Sequence, residues 1–121
     1  MGTAARTCDV NGLNRMIAAD KVTVVVATQN GCGHCAPWMR RLKKAGTPLP
    51  KDVSLVEVPS NIQGKPECEQ LQNKLKVKFT PTTTIYRKGR VVHRLRPEKY
   101  QSEAAAYEAL RKEIEKARKG R

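Results

Sequence analysis

Val22-Thr23-Val24-Val25-Val26-Ala27-Thr28 runs through Gln29-Asn30-Gly31 into Cys32-Gly33-His34-Cys35. The first seven residues are β-branched and nearly all apolar, as in a central strand buried on both faces. A strand that delivers a C-x-x-C to the start of a helix is the arrangement of a redox dithiol. The chemistry needs both sulfurs at that spacing. One attacks a disulfide, and the other reaches back to release the mixed intermediate. Gly33 lets the backbone turn tightly, and His34 places an imidazole beside the sulfurs, which favours thiolate over thiol.

Upstream, Asp9 is placed to cap a helix carrying Val10, Leu13 and Ile17 at helical spacing, which ends at Asp20-Lys21. Downstream, Cys35, Trp38, Met39, Leu42 and Ala45 mark the inner face of a second helix, in which Pro37 is expected to make a kink. Residues 46–50 read as a loop and Val53 to Val58 as a strand. Pro66 opens a third helix with Cys68, Leu71 and Leu75 on its apolar face. Thr82 to Tyr86 and Val91 to Leu95 are strands joined by a Lys88-Gly89 turn. Ser102 caps a last helix whose Tyr107, Leu110, Ile114 and Ala117 face inward. Lys116 to Arg121 reads as a basic, fraying tail. The order predicts one α/β domain over residues 1–121, a four-stranded mixed sheet flanked by helices on both faces.

The 121 residues carry 24 Lys and Arg against 11 Asp and Glu, a net charge of +13. The basic residues are spread over Arg40, Arg41, Lys43 and Lys44, then Lys74, Lys76 and Lys78, then Arg87, Lys88, Arg90, Arg94 and Arg96. A solvated surface, attraction of acidic proteins and nucleic-acid binding all fit such charge. Few aromatics are present to stack bases, so nucleic acid is the less favoured partner. No secretory signal, retention signal, myristoylation pattern or membrane-spanning stretch is expected from the sequence, which points to an intracellular protein without membrane contact. There a C-x-x-C is more often catalytic or metal-binding than structural. Cys8 and Cys68 read as small apolar residues on helix faces. A disulfide between them is one alternative, and completion of a zinc site with Cys32 and Cys35 is another. Trp38 reads as core and His93 as a surface residue near a sheet edge.

These residues resemble the thioredoxin superfamily over positions 8 to 117. Cys32-Gly33-His34-Cys35 is identical to the dithiol motif typical of protein disulfide isomerase domains. Leu75-Lys76-Val77-Lys78-Phe79-Thr80-Pro81-Thr82 resembles the stretch leading into that family's cis-proline, and Arg87-Lys88-Gly89-Arg90-Val91 its last hairpin turn. The resemblance implies that Cys32 is the exposed nucleophile and Cys35 the buried resolving thiol. It implies a cis Pro81 beside them, which frees the Thr80 backbone to pair with substrate and keeps metals off the sulfurs. The sequence departs from the family at four places. Gly31 replaces a tryptophan, which puts the family's docking surface in question. Val26 replaces a buried acid that helps deprotonate the resolving cysteine. Pro37 falls earlier than the family's helix kink, and the usual first strand is missing from the few residues before Asp9.

The expected function is thiol–disulfide exchange with protein substrates, on the oxidant or isomerase side. Its catalytic residues are Cys32, Cys35 and His34, and Gly33, Thr80 and Pro81 contact substrate. Protein thiols and disulfides are the expected partners, with glutathione or a redox protein to recharge the dithiol. No metal or cofactor is expected, and the chain is expected to be a monomer. The alternative is a basic binding module of the same fold for an acidic partner or nucleic acid, with the dithiol incidental.

Overall fold

A computed structural model describes residues 4–44 and 49–119. Its elements run β1 (Ala4–Arg6), α1 (Val10–Ala18), β2 (Val22–Ala27), α2 (Cys35–Lys44), β3 (Ser54–Val58), α3 (Pro66–Lys74), β4 (Thr82–Arg87), β5 (Arg90–Leu95) and α4 (Glu103–Arg118). One 3-10 turn, Pro97–Lys99, precedes α4. The five strands lie in the order β1-β3-β2-β4-β5. β1, β3 and β2 are parallel, and β4 and β5 are antiparallel to their neighbours.

All six residues of β2 are buried, because the sheet is covered twice. Val22, Val24 and Val26 pack with Trp38 and Leu42 of α2 and with Leu110 and Ile114 of α4. Val25 packs on the other face with Leu13 and Ile17 of α1 and Leu71 of α3. The period of two along the strand therefore divides one apolar run between two cores.

The helix ends follow the expected chemistry. Asp9 accepts from the backbone N–H groups of Asn11 and Gly12, and the Ser102 hydroxyl accepts from that of Ala105. At the other end of α4, one Arg87 nitrogen donates to the Ala117 and Arg118 carbonyls at 2.6 and 3.1 Å, where a helix's terminal carbonyls need donors. Lys88 and Gly89 both take positive φ, 54° and 80°, and close the β4–β5 hairpin.

Four expectations need correction. The sheet has five strands rather than four, because Ala4–Arg6 pairs with Leu55–Glu57. Pro37 does not interrupt α2. It lies in the first turn of the continuous Cys35–Lys44 helix, where its missing N–H would have no helical acceptor. The basic tail does not start at Lys116, since α4 continues to Arg118. Ala117 is buried, and Arg118 bonds Asp52 at 3.0 Å and Glu115 at 2.9 Å. That bond holds the Asp52 carboxyl below its ordinary range. Finally, Cys8 and Cys68 are bonded to each other as a disulfide, with Cα atoms 4.6 Å apart. Cys8 lies ahead of the α1 cap rather than on a helix. Ala45, the 46–48 part of the expected loop, and Gly120-Arg121 lie outside the described residues.

Candidate active site

The dithiol sits where β2 hands over to α2. After Ala27 the chain stays pinned to the loop behind β3. The N–H groups of Thr28 and Asn30 donate to the carbonyls of Val58 and Ser60, each at 3.0 Å. Gln72 of α3 reaches under this junction. Its buried side-chain amide donates to the Thr28 and Val58 carbonyls at 2.6 and 2.7 Å. Left-handed backbone falls at Gly31 (φ 91°) rather than at Gly33, so the position where the related motif has tryptophan favours glycine for conformational reasons. The Cys32 N–H then donates to Gln29 O at 3.0 Å, closing the turn.

Cys32 and Cys35 form a disulfide. Cys35 is the first residue of α2 and is 4% exposed. Cys32 lies in the turn before the helix rather than within it, and is half-buried. The turn therefore leaves Cys32 partly accessible beside the positive end of α2 and buries Cys35. The Thr80–Pro81 peptide is cis, and the Thr80 carbonyl oxygen lies 3.7 Å from Cys32 Sγ. Gly33 and His34 are exposed. His34 lines a cleft with Trp38, Pro97 and Tyr100. Trp38 is core, with its indole N–H donating to the Thr83 hydroxyl at 2.8 Å. His93 is half-buried, with Nδ1 3.8 Å from Glu113.

A separate cleft of about 320 Å³ holds Cys32, Cys35, Arg6, Arg40, Lys43 and Glu57 among its walls. Arg40 and Lys43 have no carboxylate partner among the described residues. Glu57 is the acid there. In the sequence it is one residue of the Val53 to Val58 strand, yet it shares a sheet face with the apolar Val53 and Leu55, and a lone acid on that face marks it. Two exposed aromatics, Phe79 (53%) and Tyr100 (37%), lie in loops, Tyr100 in the cleft with His34, and Arg96 stacks on the Phe79 ring at 3.9 Å. Cys8 and Cys68 bond one another and line a separate cleft with Pro59 and Lys65, so they do not join Cys32 and Cys35 as a zinc set.

No protein-family model matches the sequence. Two solved structures superpose over almost the whole chain. Thioredoxin f from spinach chloroplast matches with a TM-score of 0.72, covering 97% of this chain and 95% of that one at 23% identity. Thioredoxin from Trypanosoma brucei brucei matches with a TM-score of 0.73, covering 95% and 90% at 19% identity. The chain has the thioredoxin fold. A sequence relative, the Schizosaccharomyces pombe protein named "Putative protein disulfide-isomerase C1F5.02", is 33% identical over 82 residues. That match takes in 67% of this chain and 16% of the relative's length. Among the described residues of this thioredoxin-fold chain, no helix is long and apolar enough to cross a membrane.

Proposed function

We propose that this chain is a thiol–disulfide oxidoreductase that exchanges disulfides with protein substrates through Cys32 and Cys35, on the oxidant or isomerase side. The observation that carries this reading is the asymmetry of the pair. Cys32 is reachable at the head of α2 with the Thr80 carbonyl 3.7 Å from its sulfur, and Cys35 is buried.

In the oxidising direction a substrate thiolate attacks Cys32 Sγ. The Cys32–Cys35 bond breaks, and Cys35 takes the electron pair as a thiolate. A second substrate thiol, as thiolate, then attacks the substrate sulfur of the mixed disulfide and expels the Cys32 thiolate. The substrate gains a disulfide and the dithiol is reduced. Glutathione disulfide or a redox protein recharges it. The exposed His34 and the α2 N-terminus both favour the Cys32 thiolate, and a stabilised reduced form makes the disulfide a better oxidant. Thr80 and Pro81 form the ledge on which a substrate strand lies, and Gly33 leaves it clear of side chains. Arg40 and Lys43, without a carboxylate partner among the described residues, draw acidic substrates to the cleft.

Insulin reduction and refolding of a scrambled disulfide protein test this. Wild type is expected to catalyse both, and Cys32→Ser neither. Equal rates for the two proteins would leave the dithiol incidental and favour the binding-module reading.

A further inference from the structure

We propose that Glu57 accepts the Cys35 proton in the step that closes the Cys32–Cys35 disulfide and releases substrate; this rests on the oxidoreductase reading above. The reacting species in that step is a thiolate, and burial in apolar surroundings raises a thiol's pKa. Cys35 is 4% exposed, and the position where the related motif keeps its acid is the apolar Val26, which offers no acceptor. The proton has to leave through the cleft. Glu57 is the one carboxylate among that cleft's described walls.

The strand register puts it there. Arg6 of β1, Glu57 of β3 and Val26 of β2 stand side by side in one cross-strand row. The Glu57 side chain is 15% exposed. Oε2 accepts the Thr28 hydroxyl at 2.6 Å, and Oε1 lies 3.7 Å from Arg6 Nε. One oxygen is therefore held in a hydrogen bond, and the other lies at ion-pair distance with capacity to accept. The other charged groups facing the cleft are Arg40 and Lys43 of α2. His34 lines a different cleft, with Trp38, Pro97 and Tyr100.

The step balances as follows. Cys32 carries the substrate sulfur in a mixed disulfide. The Cys35 proton passes through water in the cleft to the Glu57 carboxylate. The Cys35 thiolate attacks Cys32 Sγ, the Cys32–Cys35 bond forms, and the substrate sulfur leaves with the electron pair as a thiolate. In the oxidising direction protonated Glu57 returns the proton to the departing Cys35.

Single turnovers of reduced protein with glutathione disulfide, quenched in acid and read by mass spectrometry, separate attack by Cys32 from closure by Cys35. Glu57→Gln keeps an acceptor for Thr28 but is a far weaker base. It is expected to leave attack unchanged and to slow closure about 100-fold at neutral pH. Its closure rate should climb with pH and meet the wild-type rate at about pH 10, where hydroxide suffices. Glu57→Asp, which keeps a carboxylate, should recover the wild-type pH profile. Thr28→Val, which removes the hydroxyl that orients the carboxylate, should slow closure and not attack, and reads the same point if Glu57→Gln does not fold. Closure at the wild-type rate and pH profile in Glu57→Gln, or in Thr28→Val where that is the variant read, overturns the inference. Failure of wild type to form the glutathione adduct would instead overturn the oxidoreductase reading itself.

Discussion

Glu57 stands beside Val26 in the parallel ladder between β3 and β2, on the sheet face that α2 covers. The central strand is apolar at this level, and the acid sits one strand outward, where the cleft admits water. A carboxylate in β2 itself would be buried among Trp38, Met39 and Leu42 at a cost of several kcal/mol. On β3 it keeps a hydroxyl donor in Thr28 and a cation in Arg6. Moving the acid outward keeps the central strand apolar and still leaves a carboxylate in the cleft that Cys35 lines.

Gln72→Leu should destabilise the chain by about 1–3 kcal/mol, because the buried Thr28 carbonyl keeps only Ser60 as a side-chain donor and the Val58 carbonyl loses its Gln72 bond. Urea denaturation checks this. A midpoint equal to wild type would mean that the bond does not hold the junction ahead of the dithiol.

Replacing both Cys8 and Cys68 by Ala should lower stability under oxidising conditions by about 4 kcal/mol, the chain-entropy value for a disulfide closing a separation of 60 residues. Adding reductant to wild type should remove most of that difference. Thermal melts of both proteins with and without reductant measure it, and an unchanged melting temperature would show that the bond contributes nothing to the fold.

His34→Pro should make the dithiol more reducing. An imidazole beside the sulfur favours the Cys32 thiolate and proline cannot, so the equilibrium against glutathione should shift by roughly ten-fold. Equilibration in glutathione buffers reads the shift directly. An unchanged equilibrium would remove His34 from the redox chemistry.

Most of the fold was legible because its local chemistry was strong. The all-apolar Val22–Ala27 run, the caps at Asp9 and Ser102, and the Lys88-Gly89 turn each declare themselves within a few residues. β1 did not, since three residues have no periodicity and their pairing is supplied by a strand about fifty positions away. The Cys8–Cys68 bond has no local sign either, as its partners meet only once α3 has packed across the sheet. The two sulfurs of the site were legible from their spacing. Glu57 was not, because an acid in a strand reads as solvent-facing, although the period of two already groups it with Val53 and Leu55 on the face that α2 covers.

The account stands most directly on the division of labour between the two sulfurs, and Cys35→Ser measures it. Incubated with a disulfide-bonded substrate and analysed intact by mass spectrometry, this variant is expected to accumulate one covalent substrate adduct per chain. The adduct should map to Cys32 and be released by reductant, because the attacking sulfur is present and the resolving one is gone. Normal turnover by Cys35→Ser with no trapped adduct would contradict the account.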